Sequence, residues 1–177
     1  LIQSVLSGNQ RNYEQLVKKY QTNVFRTANG LLHNKEDAEE VTQDVFIKVF
    51  HSLSSFAGKS AFSTWLYRIT INTSISYLRK KKRKGFWVEL TGLFQAQSKE
   101  KHGEDIVNEK AERFLIQTAI DTLPDKQKLA FVLTKYEDLP QRQVAEIMEV
   151  SEGAVEQLVV RAKANLRKKL ETAIRNP

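Results

Sequence analysis

The chain has 177 residues, of which 41% are hydrophobic and 28% charged, with a formal net charge of +7. This length and composition predict a globular protein with one medium domain or two small ones. The sequence has no cysteine, which excludes disulfides and thiolate chemistry, and its three histidines lack metal-ligand spacing. We therefore expect no metal site and no cofactor.

The distribution of charge points to a polyanionic partner. Residues 1–84 contain 14 Lys and Arg against 6 Asp and Glu, residues 85–112 contain 3 against 6, and residues 113–177 contain 11 against 9. The excess in the first part predicts a DNA-binding surface near its C-terminal edge. No apolar run approaches the roughly 20 residues that span a bilayer, and no signal-peptide pattern is visible, so we expect a cytoplasmic protein.

Residues 1–32 have apolar side chains at intervals of three and four, which predicts a core helix. Asn34 follows as a candidate N-cap, and the next turn is acidic, as the helix dipole favours. On the helix that begins there, two apolar stripes are predicted: Ala38, Val41, Val45 and Val49 in one, and Phe46, Phe50 and Leu53 in the other. The remaining face carries Glu39, Glu40, Gln43 and Asp44. This face is either ordinary helix chemistry or a surface for a basic protein partner.

A short loop of serines and glycine, residues 54–60, contains Phe56. Its ring could stack on a base or serve as a hydrophobic plug, and the pattern leaves both open.

The next segment, residues 62–84, is predicted to be a helix with two apolar sectors instead of one. The first sector holds Phe62, Trp65, Leu66 and Ile69, and the second holds Tyr67, Ile71, Ile75 and Leu78. Two apolar faces mean that the helix is buried on both sides or that one face awaits a partner. Six consecutive basic residues, Arg79 to Lys84, follow the second sector. Aromatic residues beside a dense cationic run are typical of proteins that stack bases and hold phosphates.

Residues 85–112 are rich in polar residues and glycine, with too few apolar residues for a third core, and predict a flexible linker. At about 3.3 Å per residue this linker would reach roughly 90 Å.

The C-terminal part, residues 113–177, has the pattern of a helix-turn-helix: a short helix, a tight segment at residues 149–151, and a longer final helix. Ser151 is a competent N-cap, whereas Glu149 stands in a turn where glycine is frequent. The predicted fold is therefore all-α, with two small helical domains, 1–84 and 113–177, joined by the linker.

Three ordered segments carry a resemblance to a known family: DAEEVTQDVFIKVF, FSTWLYRITINTSISYLRKKKR and LPDKQKLAFVLTKYEDLPQRQVAEIMEVSEGAVEQLVVRAKANLRKKL. In this order and spacing they resemble bacterial RNA polymerase sigma factors of the sigma-70 family, extracytoplasmic function (ECF) group. The resemblance implies a transcription initiation factor, not an enzyme, that binds core RNA polymerase and recognises the −10 and −35 promoter elements. The alternative from the residues alone is a dimeric helix-turn-helix regulator.

The resemblance also implies site residues and partners. The clamp helices of the largest polymerase subunit would be bound by Asp37, Glu39, Glu40, Gln43, Asp44 and Phe46. The −10 element would be recognised and melted by Phe56, Trp65, Ile69, Asn72, Arg79, Lys80, Lys81, Lys82 and Arg83. The −35 element would be contacted by Ser151, Gln157, Arg161 and Lys163. An anti-sigma factor is a further expected partner of a chain that is monomeric when free and takes no small-molecule substrate.

Two positions depart from the family pattern. Ser76 stands where an acidic residue is frequent, and Glu156 stands where many members have a basic or polar residue. Glutamate can accept a hydrogen bond from cytosine N4 but repels phosphate, so the −35 sequence stays open.

Overall fold

A computed structural model describes residues 10–90 and 104–175, with side chains over residues 11–83 and 111–173. These described ranges contain seven α-helices: α1 (Gln10–Leu32), α2 (Lys35–Ser52), α3 (Phe62–Leu90), α4 (Glu104–Asp121), α5 (Asp125–Lys135), α6 (Gln141–Met148) and α7 (Glu152–Arg175). A short 3-10 helix, Leu53–Ser55, follows α2. The all-α prediction is confirmed, and the described part of the chain contains no strand.

Local sequence signals fix the helix ends. The backbone of His33 is left-handed, with φ 53°, and its N–H donates to the Asn29 carbonyl, which closes α1. The Asn34 side chain accepts a hydrogen bond from the Asp37 N–H at 2.8 Å, so the predicted N-cap of α2 is confirmed. Pro124 and Pro140 immediately precede α5 and α6, where a missing N–H costs nothing.

Helices α1 to α3 form the N-terminal lobe around a core of aliphatic residues. Leu16 from α1, Val41 and Val45 from α2, and Leu66 from α3 are all nearly or fully buried in this core. Helices α4 to α7 form the C-terminal lobe, where Ile120, Leu123 and Leu166 pack together. Because each helix presents an apolar stripe at helical spacing, helices alone form the core of each lobe.

Helices extend into the segment predicted as a linker. Helix α3 continues through Gly85 to Leu90, and α4 begins at Glu104, so part of 85–112 is helical. A glycine inside a helix costs only about 1 kcal/mol relative to alanine, which is too little to end a helix by itself. The centre of the predicted linker, residues 91–103, lies outside the described residues, as do residues 1–9 and 176–177.

The two apolar sectors of α3 pack against different lobes. Phe62, Trp65, Leu66 and Ile69 pack into the core of the N-terminal lobe. Tyr67, Ile71 and Ile75 pack instead with apolar residues of the C-terminal lobe: Val132, Leu133, Val144, Ala145, Ile147 and Val155. Leu78 is the exception in the second sector, since it packs against the N-terminal core. The helix is therefore buried on both sides, and the second face is covered by the same chain.

Polar groups border this contact between the lobes. Lys128 on α5 donates to the Leu31 carbonyl at the end of α1, with a distance of 2.8 Å. His33 Nδ1 lies 3.2 Å from Asp121 Oδ1, and the His33 side chain is only 7% exposed. Burial lowers the pKa of His33, and this outweighs the opposing effect of Asp121. The contact therefore favours the neutral imidazole.

Within the described ranges, no helix is both long and apolar enough to cross a membrane. The same ranges contain no cluster of three His, Cys, Asp or Glu side chains placed to hold a metal ion.

The lowered pKa of His33 predicts a pH-dependent loss of stability. Below about pH 6.5 the unfolded chain takes up a proton that the native chain resists, so the free energy of unfolding should fall as the pH drops. His33→Asn removes this contribution and keeps a residue that tolerates left-handed backbone. Denaturation at about pH 7.5 and about pH 5.5 should therefore show a smaller loss in the variant than in the wild type. An equal loss of unfolding free energy in both proteins would show that His33 is not the source of the pH dependence.

Candidate nucleic-acid interface

Because both flanks of α3 are packed, one face of the helix remains exposed. At about 100° per residue, six side chains fall within one narrow sector between the two lobes. They are Trp65, Ile69, Asn72, Ser76, Arg79 and Arg83, which we call the α3 stripe. Trp65 and Ile69 are half-buried, and the other four are exposed. At 1.5 Å per residue the stripe runs for about 27 Å, from an aromatic end to a cationic end.

The aromatic end of the stripe is supported by a cluster of rings. The Phe56 ring lies 5.2 Å from that of Trp65 and 5.7 Å from that of Phe62, measured between centroids. Tyr20 extends the cluster, with its ring 5.3 Å from Phe62. Phe56 is half-buried, so it packs against the core of the N-terminal lobe while part of the residue stays accessible. The loop turns back at Gly58, whose φ of 67° suits glycine.

The cationic end combines exposed and anchored side chains. Arg79, Lys80, Lys82 and Arg83 are exposed, whereas Lys81 forms an ion pair with Asp37 at the start of α2. The Tyr77 hydroxyl donates to Asp37 at 2.8 Å and lies 3.1 Å from Glu40. Burial and these two carboxylates raise the pKa of Tyr77, so its hydroxyl stays protonated and donates. This network fixes the direction in which α3 leaves the lobe.

The acidic face predicted on α2 is present, with two corrections. Glu39, Glu40, Gln43 and Asp44 are exposed, but Asp37 is largely occupied by Tyr77 and Lys81, with 15% of its side chain exposed. Phe46 is 8% exposed and belongs to the core, so its ring is not available to a partner.

Sequence reasoning missed two exposed apolar residues next to the acidic face. Ile47 is 57% exposed and Phe50 is 52% exposed. Phe50 lies on the predicted stripe with Phe46 and Leu53 and its ring packs edge-on against Tyr13, with 5.1 Å between centroids, but unlike the other two it is not buried. The signal was available, because Gln43, Ile47 and Phe50 follow one another at helical spacing and continue the acidic face.

The predicted helix-turn-helix is formed by α6 and α7. Glu149 has left-handed backbone, with φ 56° and ψ 46°, so it adopts the turn conformation that glycine often supplies. Its carboxylate lies 2.9 Å from Arg68 on α3, which also donates to the Glu146 carbonyl at 2.6 Å. Ser151 Oγ accepts a hydrogen bond from the Ala154 N–H at 3.2 Å and caps α7.

The exposed face of α7 holds most of the residues predicted to contact the −35 element. Gln157 and Arg161 are exposed one turn apart on the same side. Lys163 is exposed as well but projects about 160° away from Arg161, so the two cannot lie against the same edge of a groove. Val160, which the sequence did not single out, is 55% exposed and lies about 60° from Gln157 around the helix, on the side away from Arg161.

Comparison with known proteins places two regions in order along the chain. Sigma-70 region 2 matches residues 16–84, and Sigma-70, region 4, matches residues 113–166. The chain is 31% identical to the RNA polymerase sigma-H factor of Pseudomonas aeruginosa, over 99% of this chain and 94% of that protein. It is 30% identical to the ECF RNA polymerase sigma-E factor of Escherichia coli K12, over 99% and 95%.

Solved structures share the fold. The structure of CnrH in complex with the cytosolic domain of CnrY matches with a TM-score of 0.70 and 24% identity, covering 97% of this chain and 95% of that chain. The sigma factor RpoE of Bartonella quintana, solved with the anti-sigma factor NepR, matches with a TM-score of 0.64 and 21% identity, covering 91% and 98%.

The Tyr77 network predicts a measurable contribution to stability. Tyr77→Phe keeps the ring but removes the donor to Asp37 and Glu40, so the free energy of unfolding should fall by about 1–3 kcal/mol. Tyr20→Phe is the matched control, because the Tyr20 hydroxyl has no hydrogen-bond partner within the described ranges. Chemical denaturation of both variants tests this, and equal effects would show that the network contributes nothing specific.

Proposed function

The chain belongs to the sigma-70 family as an ECF sigma factor, a transcription initiation factor that directs RNA polymerase to promoters, and we propose how its surfaces divide that task. The α3 stripe reads and opens the −10 element, α7 reads the −35 element, and the exposed face of α2 binds core polymerase. The observation that supports this division most is the α3 stripe, the part of the helix that remains exposed between the two packed faces. The match to regions 2 and 4, in this order along the chain, supports this function over that of a dimeric helix-turn-helix regulator.

The stripe has the chemistry that melting requires. Unpaired bases are held by aromatic stacking and by hydrogen bonds to their edges, and their phosphates by cations. Trp65, with Phe56 behind it, supplies ring surface, and Asn72 supplies an amide that can both donate and accept. Arg79 and Arg83 lie further along the same line to hold the phosphate backbone. Ile69 is half-buried and forms an apolar wall between the ring and the amide.

The polymerase contact is proposed on α2. Its exposed acidic residues suit a basic partner surface, and the adjacent Ile47 and Phe50 offer apolar area for the centre of an interface. Asp37 takes part indirectly, by holding Tyr77 and Lys81. The largest-subunit clamp helices are the expected partner, and Phe46 supports this helix from within the core.

The −35 contact is proposed on the exposed face of α7. Gln157 and Arg161 present hydrogen-bonding groups to base edges, and Val160 beside Gln157 offers an apolar contact for a thymine methyl. Lys163 faces a different direction and is suited to a phosphate on the far side of the groove. Ser151, whose side chain caps α7, acts by fixing the start of the helix.

An anti-sigma factor is proposed as a further partner. The solved structure of RpoE with NepR shows that a protein of this fold can be held by such a factor. We place the protein in the cytoplasm, where polymerase and promoters are found.

Reconstitution tests the proposed function. The chain should co-purify with core RNA polymerase and support run-off transcription from promoters selected out of genomic DNA. Failure to do either, with a correctly folded chain, would refute it.

Charge removal at the cationic end of α3 tests phosphate contact. Lys80→Gln with Lys82→Gln should weaken holoenzyme binding to promoter DNA and reduce the slope of log affinity against log salt by about 1–2. Lys81 is left intact because it anchors the helix to Asp37. Lys18→Gln with Lys19→Gln on α1 removes the same charge from another exposed surface and should leave the slope unchanged. An unchanged slope in the first variant would show that the α3 lysines do not touch phosphates.

The α7 face is tested by Gln157→Ala and Arg161→Ala. Each substitution should weaken the free energy of binding to promoter DNA that contains the −35 element by about 1–3 kcal/mol. The free energy of unfolding should not change, since both side chains are exposed. Arg167→Ala is the control, because its guanidinium is paired with Glu171 at 2.8 Å further along the helix. Filter-binding or anisotropy titrations measure the effect. If Arg167→Ala weakens binding as much as the other two, the assignment to this face is wrong.

A further inference from the structure

We propose that Glu156 is a specificity-determining residue of α7, which selects promoters that carry a cytosine in the −35 element. This inference rests on the proposed function, because it names the base that one side chain of the −35-reading face recognises. A carboxylate on that face requires an explanation, since it repels the phosphates of any DNA that approaches.

The Glu156 side chain lies on the same face of α7 as the other proposed reading residues. It is exposed, as are Gln157 and Val160, whereas Val155 packs in the core and is fully buried. At about 100° per residue, Glu156 lies about 40° from Val160 and about 100° from Gln157 around the helix. Glu156 and Val160 therefore form one column along this face, and Gln157 and Arg161 form a second.

The Glu156 carboxylate has no partner in the part of the chain that the structure describes, where neither an ion pair nor a hydrogen bond holds it. Its neighbours one turn away include no cation, since they are Glu152, Gly153, Val159 and Val160. Glu152 is the first residue of α7, where the helix dipole favours a negative charge. That effect falls off within the first turn, so it does not account for Glu156. The carboxylate is therefore available for a contact outside the chain.

A patch of helix without a side chain lies one turn before Glu156. A Cβ placed on Gly153 would meet nothing within 4 Å outside its own stretch of helix backbone, so packing within the described chain does not require glycine there. Around the helix axis Gly153 falls between Glu156 and Gln157, about 60° from the first and about 40° from the second. Because no side chain stands at this point, a base pair can approach the helix closely. The glutamate side chain, which is shorter than that of arginine, can then reach a base edge.

The four bases differ in what they offer to a carboxylate in the major groove. An ionised carboxylate accepts hydrogen bonds and donates none. Guanine presents N7 and O6 and thymine presents O4, all of which are acceptors that repel it. Adenine presents the N6 donor beside the N7 acceptor, whereas cytosine presents the N4 donor alone. Phosphates repel Glu156 on every sequence, and the cytosine donor compensates this repulsion best, so the residue discriminates against the other three bases.

Selection of promoters by the complex of this chain with core polymerase tests the assignment, with duplexes randomised across the −35 region. We expect cytosine at one position of the wild-type motif, adenine there with Glu156→Gln and guanine there with Glu156→Arg, because glutamine pairs with adenine and arginine with guanine. Glu171→Gln, at an exposed carboxylate of the same helix about four turns further on, should select the wild-type motif. The same motif in the wild type and both Glu156 variants would overturn the inference. A complex that selects no −35 sequence at all would instead refute the proposed function.

A modified base tests the hydrogen bond itself. N4-methylcytosine pairs with guanine but carries a methyl group in place of the amino hydrogen that faces the major groove. At the selected position it should weaken binding of the wild-type complex by about 5- to 150-fold, the range for one specific base contact, and leave binding by Glu156→Ala unchanged. The same modification of a cytosine outside the promoter elements is the control. An equal effect on the wild type and Glu156→Ala, or no effect on either, would show that Glu156 does not accept from N4 and would overturn the inference.

Discussion

The packing of α3 on two sides is the constraint on which the rest of the structure depends. A helix turns through about 100° per residue, so two packed faces leave roughly one third of its circumference for anything else. The N-terminal lobe takes the face of Phe62 and Leu66, and the C-terminal lobe takes the face of Tyr67 and Ile71. What remains is a single line from Trp65 to Arg83. The placement of the candidate DNA surface therefore follows from core packing.

The same constraint accounts for the contact between the lobes. Its centre is apolar and well buried, but its edge includes two groups that burial disfavours in their charged forms, His33 and Glu137. A buried charge that is only partly compensated contributes little net stability, so the apolar centre stabilises the contact more than its edge does.

Most of the fold could be predicted from the sequence, since helical periodicity, the Asn34 cap and the Ser151 cap are local signals. The apolar sectors of α3 were also visible, but their partners were not, because periodicity gives the direction of a face and not what covers it. Phe46 and Phe50 differ in a way that the pattern does contain: both are aromatic on one helix, but only Phe50 continues the spacing of Gln43 and Ile47 on the exposed face. Glu149 was noted as a departure from glycine, and its left-handed backbone coincides with an ion pair to Arg68 that no local rule contains.

The central claim, that core packing leaves one exposed line of α3 to meet promoter DNA, is tested most directly by site-specific cross-linking. Because the chain has no cysteine, a photoactivatable cross-linker attached to the single cysteine of Asn72→Cys or Lys18→Cys, both at exposed positions, would report whether either site touches DNA. The account predicts cross-links from residue 72 to the −10 element in the complex with core polymerase, and none from residue 18 on α1. Cross-links from both sites alike, or from neither, would contradict the account.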